Sequence, residues 1–205
     1  TTASGPQHMT VFNDELYFSG DGANGRELWK YDGSTMTEAF DIREGTNIFG
    51  GGSLDSDPAD LTMFDGWLYL SAETGNIFGA DRELWRTDGS TLEEFDINTS
   101  GDSSPRDLAV FDGALYFAAE GDFLSGEELY RHDGDRPMRV TDITGDSRDS
   151  SPRGMIGYHG VLYFSAEAAG TGRELWRVID SDDLEFEWEI TSGHPEVDAG
   201  DPTDT

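Results

Sequence analysis

The stretch GRELWKYDGSTMTEAFDI at 25–42 returns as DRELWRTDGSTLEEFDI at 81–97, then in altered form as GEELYRHDGDRPMRVTDI and GRELWRVIDSDDLEFEWEI. A unit this short encloses no core of its own. It has to be one supersecondary piece that buries its faces against copies of itself, which restricts the fold to an array or a ring. Other markers keep the same beat: Tyr17, Tyr69, Tyr116 and Tyr163 sit in ELYF, WLYL, ALYF and VLYF, about 47–52 residues apart. The four copies fall at approximately 5–54, 55–101, 102–148 and 149–205, so positions 1–205 read as one domain.

Within a copy the pattern is that of strands. In the third, the apolar run DLAVF is followed by Asp112–Gly113 and then ALYF; Asp-Gly between two such runs signals a two-residue hairpin, because both central positions need φ > 0. A variable loop leads to EELYR, and a second Asp-Gly turns that strand into MRVTDI. Each copy therefore predicts a four-stranded antiparallel meander, and the fold class is all-β, a four-bladed β-propeller. Helical periodicity is lacking, and the density of Asp-Gly and aromatic residues argues against a helical solenoid. Trp29, Trp85, Tyr130 and Trp176 then face one neighbouring blade, with Leu28, Leu84, Leu129 and Leu175 facing the other. Pro6, Pro58, Pro105 and Pro152 mark the entry to each unit, and Pro202 begins a fifth phrase. Four units match the smallest usual ring, and without polar caps the ring is expected to close.

RELWRTDGST, followed by FDI, Ser-Pro and LYF, resembles the repeat of bacterial proteins named for their ELW-x-x-DGT motif. The likeness runs over roughly residues 5 to 192; the third copy departs from it with EELYRHDGD, and the fourth has Val178 and Ile179 in place of Asp-Gly. The resemblance implies a propeller-like fold and an extracellular or cell-surface setting, and it transfers no catalytic residues.

Charge narrows the setting further. Against 43 acidic residues stand 13 basic ones, a formal net charge of −30, and Lys30 is the single lysine. Such a surface repels itself in dilute buffer, whereas at molar salt the Debye length falls to about 3 Å and the repulsion fades. The composition reads as adaptation to a saline environment, or else as an extracellular module whose carboxylates are partly neutralised by calcium. Either excludes nucleic acid as a partner, since nothing here neutralises phosphates. No run is long enough for a transmembrane segment. Thr1 to Ser4 carry neither an initiator Met nor an apolar leader, which reads as a processed or excised chain.

Candidate chemistry lies in the linkers. Asp-Ser-Asp-Pro at 55–58 returns as Asp-Ser-Ser-Pro at 102–105 and again at 149–152. Asp55, Asp57, Asp60, Asp102, Asp107 and Asp149 are the candidate ligands for a hard cation, calcium being the cofactor such oxygen-rich loops suit. The alternative is that these Asp and Ser side chains simply turn their own backbone. Asp60 and Asp107 also start inner strands, where they would look into the central channel beside His8 and Gly154. Ile48, Phe49, Ile77, Phe78, Phe123 and Leu124 stand on otherwise polar loops and are the candidate binding residues. The histidines His8, His132, His159 and His194 have no metal spacing, and neither a nucleophile elbow nor a phosphate loop is present. The sequence reads as a non-catalytic structural or adhesion module that binds protein, copies of itself included. The alternative is a lectin-like propeller with one carbohydrate site per blade.

Overall fold

A computed structural model describes residues 4–47, 51–76, 79–122, 126–145, 147–178 and 189–190. Four antiparallel meanders follow one another. Blade 1 comprises β1 (Gln7–Phe12), β2 (Glu15–Gly22), β3 (Gly25–Tyr31) and β4 (Met36–Phe40). Blade 2 comprises β5 (Ala59–Phe64), β6 (Trp67–Asn76), β7 (Gly79–Thr87) and β8 (Leu92–Phe95). Blade 3 runs through β9 (Arg106–Phe111), β10 (Ala114–Glu120), β11 (Glu127–His132) and β12 (Pro137–Arg139). Blade 4 runs through β13 (Arg153–Tyr158), β14 (Val161–Ala168), β15 (Gly172–Val178) and β16 (Glu189–Ile190). Strand order within every sheet is sequential, and the first strands β1, β5, β9 and β13 lie side by side in succession. The architecture is the expected four-bladed β-propeller. Among the described residues no helix is long and apolar enough to cross a membrane.

The two turns of each blade differ in kind. The first is a two-residue turn with both residues at positive φ: Asn13 50° and Asp14 62°, Asp65 47° and Gly66 77°, Asp112 44° and Gly113 71°, His159 50° and Gly160 79°. That is the mirror-image turn whose twist matches the strands, and His159 fills the position that Asp65 and Asp112 hold in their copies. The second Asp-Gly does not make such a hairpin. Residues 32–35 and 88–91 form longer loops in which Asp32 Oδ1 accepts the N–H groups of Ser34 and Thr35, both at 2.7 Å, and Asp88 Oδ1 those of Ser90 and Thr91 at the same distance. Here the aspartate caps the turn with its side chain.

Three joints hold the blades together, each made from two different faces. The outgoing face of blade 1 presents Phe12, Tyr17 and Leu28 to Leu68, Leu70, Ala72 and Trp85 on the incoming face of blade 2. Blades 2 and 3 repeat this with Phe64, Tyr69 and Leu84 against Leu115, Phe117 and Tyr130. Blades 3 and 4 do so with Tyr116 and Leu129 against Leu162, Phe164 and Trp176. Both faces of a blade are thus apolar, as the adjacent Leu and Trp of ELW required. Each leucine buried in this way contributes about 1.5–3 kcal/mol. In the third joint the ring of Phe111 leaves no room for a side chain at position 157, where a Cβ would stand 2.6 Å from it.

The fourth joint, which closure would need, is not made among the described residues. Leu28, Leu84 and Leu129 are 0% exposed, yet Leu175, their counterpart on blade 4, is 40% exposed. Ile156 and Tyr158 on the same face are 63% and 60% exposed. Among the described residues the four repeats thus form an arc with no blade against its last outgoing face; the rest of the fourth repeat, on which the expected closure draws, lies outside the described residues apart from Glu189–Ile190. Pro202 and the fifth phrase lie outside the described residues.

Candidate functional site

The repeated polar residues assemble at the joints. The Glu of each repeat is buried, and in the first three copies its carboxylate reaches the linker that leads into the next blade. Glu27 Oε2 accepts the Ser56 hydroxyl at 2.5 Å and the Ile42 N–H at 2.8 Å, while Oε1 accepts the Ser56 N–H at 3.0 Å. Glu83 is held identically by Ser103 and Ile97, with distances of 2.5, 3.0 and 2.8 Å. Glu128 takes the Ser150 hydroxyl at 2.8 Å and the Ile143 N–H at 3.3 Å, with Thr141 as an additional hydroxyl donor. Burial without a cation nearby pushes the carboxyls of Glu27 and Glu83 up to about 7, the hydrogen bonds opposing but not cancelling it. Glu128 moves in the same direction for the same reason. In the sequence these glutamates are only markers of the repeat; the signal for their role is the pairing of a Glu in ELW with a Ser two places before each linker proline.

The aspartates expected to bind a cation serve the same joints. Asp55 Oδ1 accepts the Arg26 N–H at 2.7 Å, Asp102 Oδ1 the Arg82 N–H at 2.7 Å, and Asp149 Oδ1 the Glu127 N–H at 2.9 Å. Each fastens a linker to the start of the third strand of the preceding blade. Asp57 lies 3.8 Å from the Arg26 guanidinium, and its carboxyl is raised by burial and by Asp55. Asp60 and Asp107 occupy the second position of their inner strands with φ of 55° and 56°, matched by His8 at 50° and Gly154 at 65°. Asp107 accepts the Gly154 N–H at 3.2 Å, and Asp60 lies within the electrostatic reach of His8 and Asp107. Adjoining inner strands therefore set Asp60 near His8 and Asp107, and Asp107 against Gly154. Among the described residues no group of three or more His, Asp or Glu side chains is arranged to hold a metal ion. Asp55, Asp102, Asp107 and Asp149 act as acceptors for backbone N–H groups, and Asp57 stands beside a guanidinium.

An arginine on the third strand of blades 1, 2 and 4 ties that blade to the segment leading into it. Arg26 reaches Gly5 O at 3.0 Å and Asp21 at 2.8 Å; Arg82 reaches Asp57 O at 3.0 Å and Glu73 at 3.2 Å; Arg173 reaches Ser151 O at 3.0 Å and Glu167 at 3.3 Å. Blade 3 exchanges the charges. Glu127 stands where the others have Arg, and Arg106, one residue after the linker proline, pairs with it.

The candidate binding residues Ile48, Phe49, Ile77, Phe78, Phe123 and Leu124 lie outside the described residues. Between the outer strands of blades 2 and 3 a groove of about 390 Å³ is lined by Glu94, Phe95, Asp96, Tyr130, Arg136 and Pro137. Tyr130 is 6% exposed, so most of its ring is taken up by the joint. Next to it His132 is buried, edge-on to Tyr69 and Phe95, with Nδ1 accepting the Gly134 N–H at 2.9 Å. Burial and the neighbouring Arg86 push this imidazole down to about 4.

No protein-family model and no curated relative matches the sequence. Among solved structures, the β-propeller domain of the Trilobed protease from Pyrococcus furiosus, described as having an open velcro topology, is similar at 13% identity and a TM-score of 0.57. That match covers 91% of this chain and 55% of the other. The Pyrococcus horikoshii acylaminoacyl peptidase is similar at 13% identity and a TM-score of 0.56, over 89% of this chain and 26% of that one. A thermostable family-43 glycoside hydrolase matches at 14% identity with a TM-score of 0.43, over 94% of this chain and 73% of its own. The chain thus spans about half the length of the propeller domain and a quarter of the peptidase, and the likeness is one of fold.

Proposed function

We propose that the chain is a non-catalytic β-propeller module of the ELW-x-x-DGT repeat kind that works through protein contacts in a saline, extracellular or cell-surface setting. One observation carries the reading: Ile156, Tyr158 and Leu175 leave an apolar blade face open at the end of the arc, and a contiguous patch of this kind marks a contact surface. Glu27, Glu83 and Glu128 with the linker serines, and Asp55, Asp102 and Asp149 with backbone N–H groups, support it, because they have structural partners at the joints. The surplus of carboxylates fits brine, where exposed charges are screened.

Light scattering on the full chain over a range of potassium chloride concentrations tests the reading. Association that strengthens with salt is the expected outcome; a monomer at every concentration contradicts it. The groove beside Phe95, with Glu94, Asp96 and Arg136, favours carbohydrate binding as a second reading. A glycan array separates the two, since a lectin retains sugars with repeated stoichiometry and a protein-contact module retains none. Turnover of a chromogenic glycoside or peptide by the purified chain would contradict the non-catalytic part.

A further inference from the structure

We propose that Asn98 is a site of N-linked glycosylation, its side-chain amide taking an oligosaccharide from a polyprenyl-phosphate-linked donor on the outer side of the cell membrane. The inference rests on the extracellular or cell-surface setting proposed above and goes beyond it by naming a covalent site.

The asparagines of the chain are Asn13, Asn24, Asn47, Asn76 and Asn98. Asn98 alone is followed two places on by Ser or Thr, in Asn98–Thr99–Ser100. With a residue other than proline in the middle, this is the acceptor triplet of N-glycosylation, a feature of surface loops in exported proteins. Asp96, two places ahead of the asparagine, adds the acidic residue that bacterial N-oligosaccharyltransferases also read.

The fold displays the triplet as an acceptor needs it. It lies in the linker between blades 2 and 3, where Asn98 is partly exposed and Thr99 and Ser100 are exposed. Asn98 Oδ1 accepts the Ser100 N–H at 3.2 Å, and the Asn98 carbonyl accepts the Gly101 N–H at 3.0 Å. The amide and the hydroxyl residue therefore share one tight turn. Asn98 Nδ2 donates to Asp102 O at 3.1 Å. That engages one of its two protons, and among the described residues the other has no partner.

The competing explanation is that Asn98 only latches the linker. From the same place in their repeats, directly after Ile42 and Ile143, Arg43 donates to Asp55 O at 3.1 Å and Thr144 to Arg148 O at 2.8 Å. A latch thus needs one donor of any kind, and Arg and Thr supply it. It does not need a hydroxyl residue two places on, where the first copy has Gly45 and the third Asp146.

Modification leaves the latch intact. Nδ2 bonds to the anomeric carbon of the donor as the bond from that carbon to the lipid phosphate breaks; the phosphate leaves with the electron pair, and one amide proton passes to a base of the transferase. The resulting secondary amide keeps one N–H for Asp102 O and its oxygen for Ser100.

Mass spectrometry of the tryptic peptide from Thr87 to Arg106 tests this on two samples. One is protein isolated from the cells that make it; the other is the purified, folded chain incubated with a bacterial oligosaccharyltransferase and its lipid-linked oligosaccharide. Both are expected to carry a glycan mass on Asn98. Asn98→Gln removes it, and Ser100→Ala removes it too while leaving the Asn98 amide and its bond to Asp102 O in place; circular dichroism confirms that both variants fold. A bare Asn98 in both samples overturns the acceptor and leaves the protein-contact reading standing. A glycan on the incubated chain but not on the cellular protein overturns modification in the cell together with the extracellular setting. A glycan that survives Ser100→Ala sits on another residue or follows another rule, and overturns the site.

Discussion

The Ser56 hydroxyl lies 2.5 Å from Glu27 Oε2 on the preceding blade and 3.3 Å from the carbonyl oxygen of Arg26. A hydroxyl has one proton, and this geometry suits both forms of the acid. An ionised Glu27 accepts that proton; a neutral Glu27 donates its own to Ser56, which then donates to Arg26. Only the neutral form avoids burying a charge, so the joint favours it.

Stability should therefore fall as pH rises through neutrality. Glu27 and Glu83 have folded values raised to about 7 against an ordinary value near 4.3, so their stabilisation is complete below the unfolded value and lost on rising through the folded one. Each is on the order of 3 kcal/mol. His132 acts oppositely: with its folded value lowered to about 4, its neutral form stabilises above about 6.5 and that contribution is lost as pH falls towards 4. Denaturant midpoints in molar salt should accordingly decline between pH 6.5 and 8, where the glutamates act alone. Glu27→Gln together with Glu83→Gln should flatten that decline, and an unchanged slope would refute the assignment.

Blade 3 permits a charge-exchange test. Arg106→Ala leaves Glu127 nearly buried beside the linker and should destabilise by about 1–3 kcal/mol, below the full value for a buried pair because Arg106 is partly exposed. Combining Arg106→Gln with Glu127→Arg rebuilds the arrangement of Gln7 and Arg26 in blade 1 and should recover most of the loss. Thermal unfolding of the parent and these variants measures this, and a double variant no better than the single one counts against the equivalence of the blades.

Salt dependence should be steep. With a net charge of −30, the midpoint of thermal unfolding is expected to rise as potassium chloride goes from about 0.1 to 2 M, the range over which the Debye length shrinks from about 10 Å to below 3 Å. Differential scanning calorimetry checks it. A midpoint indifferent to salt would remove the support for a saline setting.

Much of this is legible in the residues. The turns at Asp65–Gly66 and Asp112–Gly113 follow from positive-φ chemistry, and the opposed faces of Leu84 and Trp85 follow from a strand buried on both sides. The linker aspartates are legible as a repeated acidic motif, but the backbone N–H partners of Asp55, Asp102 and Asp149 are not. Asp55 meets the N–H of Arg26, 29 residues away, and a backbone group leaves no mark in composition. The number of repeats fixes how many blades form, whereas the angle at each joint depends on the packing of side chains such as Phe111 against Gly157, which counting does not show. The glutamates are visible throughout, but a lone Glu in a strand carries no signal until Ser103 is seen to reach Glu83.

A double-mutant cycle on Glu83 and Ser103 tests most directly whether the repeated motif is a blade joint. Glu83→Ala, Ser103→Ala and the pair are compared by urea denaturation in molar salt at pH 6. The joint predicts a coupling of about 1–2 kcal/mol, with the double variant losing clearly less than the sum of the singles. Strict additivity would mean that the two side chains do not act together and would contradict the account.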